Sequence, residues 1–174
     1  MLSKGVGTKL APLQLAVGIS GGVEIGAHIC QFSYDQILGA SVVNLDQKNA
    51  YNRIRRAEVY QGLLQHCPQL CRWFRCFYGR SGILVNSEGI RVGASATGVR
   101  QGDPLASLAF CCGFHRTLTA VDTEFKTFCG DDFVSFSFAF ADDTILVGPH
   151  DKLHEFIPTA VDIFGMNGFQ VEVR

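Results

Sequence analysis

The apolar residues of this chain change period several times, and each change marks an element. Phe136, Phe138 and Phe140 recur at every second position and Thr144 to Val147 is rich in β-branched residues, so residues 135–148 predict a β-hairpin with Asp142 and Asp143 at its tip. Upstream, Gln14 to Glu24 reads as a glycine-rich turn feeding a helix through about Leu38, and Ser41 to Leu45 as a short strand that stops at Asp46. Asn49 to about Gln65 follows as one helix with Ile54, Ala57, Gln61 and Leu64 on a shared face. Pro68 opens another at a position where its missing N–H costs nothing, and Leu70, Trp73, Phe74, Phe77 and Tyr78 trace its apolar stripe.

Ile83 to Val85 and Ile90 to Val92 predict a second hairpin through Asn86 to Gly89. Asp103 is placed to cap, and Pro104 to begin, an apolar helix from Leu105 to about Val121. Asp151 then caps a helix carrying Leu153, Phe156, Ile157, Ala160 and Phe164, which Pro158 is expected to kink or shorten. Phe169 to Val173 alternates as a last strand. The order of strand, helix, helix, hairpin, helix, hairpin, helix, strand predicts an α+β fold, with helices packed on one face of an antiparallel sheet.

Composition adjusts this picture in three ways. At 174 residues the chain suits one domain, and 47% hydrophobic against 18% charged residues is apolar for that size, which suits a piece of something larger. A formal net charge of −1 supplies no global basic field for nucleic acid, so any such contact must be local. Arg53, Arg55 and Arg56, then Arg72, Arg75 and Arg80, are the clusters available for it, or else solvated helix faces. The seven cysteines lack a secreted-domain spacing and read as small buried thiols of a reduced, intracellular protein; His66, Cys67, Cys71 and Cys76 do not form a paired zinc knuckle. Lys4, Lys9 and the run Leu10 to Ile19 imitate a signal peptide, but Pro12 and Gln14 interrupt it, so it reads as interior sequence. No stretch nears the ~20 apolar residues that span a bilayer.

The chemistry concentrates in the aspartates. Two carboxylates held ~4 Å apart repel by roughly 4 kcal/mol at an effective dielectric of ~20, so a pair fixed at a hairpin tip makes most sense around a divalent cation, although Asp-Asp is also ordinary turn chemistry. Gly98 to Pro104 is the other marked element: Gly102 permits close backbone approach, and Gln101 offers a donor and an acceptor just before a helix.

Three elements taken together, in order, carry a family resemblance: a strand ending in a lone aspartate (Val42 to Asp46), a Gln-Gly turn entering a helix (Val99 to Pro104), and an aspartate pair on a hairpin (Phe140 to Asp143). The chain resembles the reverse transcriptases, most closely those of non-LTR retrotransposons, over nearly its whole length. Leu45 to Asn52, Gly98 to Pro104 and Phe140 to Asp143 look like three of their motifs, with Gln14 to Glu24 and Gly165 to Val173 like the boxes before and after. That resemblance implies a polymerase palm on a split β-α-β, ferredoxin-like core. It implies that residues 1–40 are the end of the fingers, 41–174 the palm, and that a thumb is absent.

It further implies that Asp46, Asp142 and Asp143 bind two Mg²⁺ ions, with Mn²⁺ as a substitute, and carry nucleotidyl transfer from a dNTP to the 3′-hydroxyl of a DNA primer on an RNA template. The peptide carbonyl of Gln47 or of a near neighbour would add a ligand; Gln101 and Gly102 would line the nucleotide and template site, and Tyr51 would lie under the sugar. A nuclear location follows from the retrotransposon resemblance alone. Two rivals remain. Asp131 and Asp132 form a Gly-Asp-Asp box like that of RNA-dependent RNA polymerases, although position 51 is Tyr where those enzymes carry a second aspartate. The other rival is a truncated, non-catalytic retroelement remnant.

Overall fold

The computed structural model describes residues 2–131 and 133–173, with side chains from residue 5 onward. It is the expected α+β arrangement. A four-stranded, fully antiparallel sheet has the order β4-β5-β1-β6, where β1 is Ala40–Gln47, β4 Phe136–Phe140, β5 Asp143–Pro149 and β6 Val171–Val173. Among the described residues, seven α-helices accompany it: α1 Leu2–Leu10, α2 Gly22–Gln36, α3 Ala50–Arg53, α4 Arg56–His66, α5 Cys71–Tyr78, α6 Ala106–Cys129 and α7 His150–Met166. A 3₁₀ turn at Pro68–Leu70 leads into α5, and β2 (Gly82–Val85) pairs with β3 (Arg91–Ser95) as a separate hairpin.

Strand alternation divides the sheet into two faces. Leu45, Ala139 and Leu146 point into the main core with Phe110, Phe114, Phe125 of α6 and Phe156, Phe164 of α7. Phe138 and Val147 point the other way, where Leu15 and, from α2, Ile29 and Cys30 cover them in a smaller cluster. The two long helices therefore take one face, and α2 adds a partial layer on the opposite one.

Four elements differ from their sequence reading, each for a local reason. Residues 2–10, for which the sequence reading predicts no element, form α1, which buries Val6 and Leu10 in the main core. Helix α6 runs about two turns beyond Val121, because Phe125 and Cys129 continue its buried stripe until Gly130 at φ 75 ends it. Pro158 does not shorten α7, since it lies on the exposed side, where water can serve the carbonyl it leaves unpaired.

The predicted helix from Asn49 to Gln65 is broken at Ile54 and Arg55 into α3 and α4. There the Tyr51 carbonyl accepts the Val99 N–H at 2.7 Å and the Ile54 carbonyl accepts the Gly98 N–H at 2.9 Å. A docked loop has thus replaced helical partners. Gly98 is required at that joint: its φ is 69, and a Cβ would collide with the Tyr51 carbonyl and stand 2.5 Å from Asn52.

Candidate active site

The register of the sheet sets the site. Leu45 pairs with Thr144 and Phe140 with Asp143, so the end of β1 bearing Asp46 lies beside the tip of the β4–β5 hairpin. The tip is two residues, Ala141 and Asp142, with Ala141 in the left-handed region at φ 56. Asp142 is half-buried, and burial raises its carboxyl above the usual range, with the charges of Asp143 and Asp46 raising it further. Asp142 thus lies within the field of both Asp143 and Asp46.

Tyr51 belongs to the same neighbourhood. It stacks on Phe110 of α6, with ring centroids 4.4 Å apart and an interplanar angle of 11°, and its hydroxyl donates to Ser107 Oγ at 3.2 Å. Burial raises its phenol, and the nearby Cys111 and Asp142 add to the shift. Cys111 is wholly buried and held protonated by burial, then by Cys112 and Asp142. Asp142, Tyr51 and the second turn of α6 are therefore one electrostatic unit.

The Gly98 to Pro104 loop is fixed at several points. Asp103 Oδ1 accepts the Leu105 N–H at 2.9 Å, and Oδ2 accepts the Tyr78 hydroxyl at 2.7 Å. Asp103 thus closes an Asx turn ahead of α6 and is not its cap: the helix begins at Ala106, with Leu105 at the N-cap position, so Asp103 and Pro104 both stand before it. The Tyr78 oxygen also accepts the Arg100 N–H at 3.1 Å. Gln101 and Gly102 are exposed, and nothing lies within 4 Å of a Cβ built on Gly102, whose φ is 88. Their connection to the aspartates runs through α6, whose first turns hold Tyr51.

Gln47 is placed differently from the rest. It is buried on the core side of β1, opposite Asp46, with Nε2 donating to the Leu45 carbonyl at 3.3 Å and Oε1 without a partner. Its side chain does not join the aspartates; only its main chain is at the strand end.

Arg56 corrects the sequence reading more sharply. Grouped there with solvent-facing or phosphate-facing arginines, it instead donates to the carbonyls of Gly98, Tyr78, Arg80, Ser95 and Thr97 and to Ser95 Oγ, at 3.0 to 3.3 Å. Its guanidinium also lies 5.4 Å from the Tyr78 ring centroid. Burial, and then Arg100, draws it below the usual guanidinium range. Arg53, Arg55, Arg72, Arg75 and Arg80 remain exposed.

Asp131 lies far along the hairpin from Asp142. Phe136 pairs with Val147, and Cys129 feels Lys152 and Asp151 at the start of α7, so the turn after α6 is at the opposite end of the β4–β5 hairpin. Asp132 lies outside the described residues. The RNA-polymerase assignment places its box away from Asp46.

The donor set at the site consists of hard carboxylate oxygens, the kind Mg²⁺ and Mn²⁺ prefer, and a divalent cation would oppose the burial and, after it, the neighbouring negative charges that raise Asp142. Among the described residues, no group of three or more His, Cys, Asp or Glu side chains is placed to hold a metal ion, Asp46, Asp142 and Asp143 included. Mg²⁺ does not need them, because it keeps waters and takes substrate phosphates alongside one or two carboxylates. Cys67 and Cys71 are buried in the core while Cys76 is exposed, so the thiols near His66 do not converge.

One residue to which the sequence reading gives no individual role at the site is Gln14, fully buried and hydrogen-bonded to both polar groups of the Ala141 backbone. The signal was there: a lone amide in an apolar run that must be satisfied wherever that run is buried.

Residues 17–172 match the family of reverse transcriptases (RNA-dependent DNA polymerases), and the chain belongs to that family. The telomerase of Candida albicans, solved with a fragment of telomeric RNA, superposes with a TM-score of 0.65 at 12% identity, covering 87% of this chain and 30% of that one. The corresponding Candida tropicalis complex gives 0.63 at 12% identity over 87% and 29%. The apo Candida tropicalis enzyme truncated of its C-terminal domain gives 0.63 at 14% over 87% and 34%. At such identities the likeness is one of fold, and the chain spans about a third of these neighbours' length. No curated protein matches the chain.

Proposed function

We propose that this chain is the palm of an RNA-directed DNA polymerase of the non-LTR retrotransposon type, acting in the nucleus. The observation that carries the reading is the sheet register that sets Asp46, at the end of β1, beside the hairpin tip bearing Asp142 and Asp143, where the Asp142 carboxyl is raised by burial and then by the charges of Asp143 and Asp46. Asp46 and Asp142 would hold Mg²⁺ with Asp143 beside them. Two such ions, when bound, stabilise the attacking 3′-hydroxyl and the leaving pyrophosphate oxygen. The chain's own residues do the rest. Tyr51, braced by Phe110 and Ser107, presents an immobile ring to the sugar of a dNTP. Gln101 and Gly102 offer an open, exposed backbone to the template–nucleotide pair, on a loop that Asp103, Tyr78 and Arg56 keep from moving.

Charge distribution supports a primer–template partner despite the net charge of −1. Residues 53–100 contain eight arginines against Glu58 and Glu88 alone. Arg56 is taken up by carbonyls, and the ion pairs among described residues are Lys48–Glu172, Arg116–Glu58 and Lys126–Asp122. The exposed arginines are therefore available to phosphates, and the acidic excess lies elsewhere in the chain.

The test is Mg²⁺-dependent dNMP addition to a DNA primer on an RNA template by a polypeptide carrying these residues. Asp46→Asn and Asp142→Asn should each abolish extension, while Asp131→Asn should leave it intact. Extension that survives either of the first two, or that Asp131→Asn eliminates, refutes the assignment.

A further inference from the structure

The left-handed backbone at Ala141 needs an explanation. Among the described residues it and Asn49 are the non-glycine positions with positive φ. Asparagine tolerates that region through its own side chain; alanine has no such means, so something outside the hairpin must impose the conformation. That conformation sets where the next residue, Asp142, points.

Gln14 is placed to impose it. Its Oε1 accepts the Ala141 N–H at 2.8 Å and its Nε2 donates to the Ala141 carbonyl at 3.0 Å, so one amide grips both polar groups of the strained residue. The amide is itself fixed: Oε1 also accepts the Ala16 N–H at 3.1 Å, and Gln14 has no exposed surface. The segment bearing it is tied along the strand that enters the turn, with the Ala139 N–H donating to the Leu13 carbonyl at 2.7 Å and the Leu15 N–H to the Ala139 carbonyl at 2.8 Å. The side-chain requirement is narrow. Asparagine has the same groups on a stem one methylene shorter, glutamate lacks the donor and would bring a charge beside Asp142, and methionine fills the volume with no hydrogen bond.

We infer that Gln14 is a positioning residue for the aspartate hairpin, holding Ala141 left-handed so that Asp142 is aimed before any metal or nucleotide arrives. This rests on the polymerase reading for its consequence, metal affinity, but not for its geometry. It joins the glycine-rich segment near the start of the chain to the metal-binding end of the sheet.

The experiment uses the 174-residue chain and Mn²⁺ as the probe, with binding followed by electron paramagnetic resonance and the Ala141 amide followed by hydrogen exchange. Gln14→Met and Gln14→Asn should each weaken Mn²⁺ binding by roughly tenfold to a hundredfold, the range for supporting partners of metal ligands, and should speed exchange at Ala141 but not in the middle of α6. Adding Ala141→Gly to Gln14→Met should restore part of the affinity, because glycine adopts the turn unaided. A purely structural glutamine would lower the melting temperature without moving the affinity of the folded chain. Affinity within about twofold of wild type in both variants, where Asp142→Asn loses it, would overturn the role of Gln14 alone. Unchanged exchange at Ala141 would do the same. Unchanged affinity in Asp142→Asn would overturn the metal reading and this inference with it.

Discussion

Replacing Arg56 with alanine removes the donor set around which three separated pieces of chain are gathered. Four of its six hydrogen bonds, to the carbonyls of Gly98, Tyr78 and Ser95 and to Ser95 Oγ, are partly buried; those to the Arg80 and Thr97 carbonyls are open to water. Water can replace the exposed pair at little cost. The other four forfeit about 1 kcal/mol each, less whatever solvent enters, so the loss should be about 2–4 kcal/mol. For a domain of this size each kcal/mol moves the melting temperature by about 2–4 °C, which places the expected drop between about 5 and 15 °C. Arg56→Lys is the informative control. It keeps the charge and the contact with the Tyr78 ring, but a single ammonium cannot reach acceptors spread around a planar fork, so it should recover less than half of the loss. Thermal unfolding gives the stability, and amide exchange at Gly98 and Val99 shows whether the loop has loosened where it docks. An Arg56→Ala melting temperature within about 2 °C of wild type, or a lysine variant equal to wild type, would mean that these hydrogen bonds are no better than the water they displace.

Three other outcomes follow from the same geometry. The raised carboxyl of Asp142 contributes stability that is present below its unfolded value and lost as the pH rises through its folded one, so in EDTA at pH 7 Asp142→Asn should melt higher than wild type; a lower melting temperature would contradict the shift. Tyr51→Ala, in a polypeptide competent for extension, should raise the rNTP to dNTP ratio of kcat/KM well beyond any fall in overall activity, and an unchanged ratio would remove Tyr51 as the sugar gate. Gly62→Ala should destabilise by about 1–3 kcal/mol in urea unfolding, because its Cβ would strike the Cys112 carbonyl where α4 crosses α6. Gly165→Ala, with nothing within 4 Å, should gain up to about 1 kcal/mol, and equal effects at the two sites would mean that helix propensity outweighs packing there.

What could be seen in the sequence depended on how local its cause was. The hairpin tip, the end of β1 and the Gln-Gly turn are each specified by a few neighbouring residues, and the antiparallel plan follows from their order. The break between α3 and α4 was invisible because Asn49 to Gln65 has adequate helical character throughout; the competitor for its carbonyls, Gly98 and Val99, lies more than forty residues away. The role of Arg56 has no local signature for the same reason, since five of its six acceptors are backbone carbonyls, and no residue type announces those. Gln14 belongs with them: its partner, Ala141, is 127 positions distant. Asp122 is a further case. Buried, it accepts the Ser137 N–H and hydroxyl, both at 3.0 Å, and so ties α6 to β4 without any sequence signature.

The joint at Gly98 also bears on how this chain can be altered. Because the Gly98 and Val99 amides complete the carbonyls of α3 directly, the turn carrying Tyr51 and the turn carrying Gln101 and Gly102 form one body, although α4, α5 and the β2–β3 hairpin lie between them in sequence. The intervening segment is a closed excursion. Its far tip at 86–89 is exposed and can lengthen, whereas one residue inserted between Tyr51 and Ile54 would slip both hydrogen bonds at once. Size variation in related chains should therefore collect at that hairpin tip, and a segment transplanted between relatives should carry both halves of the joint or neither.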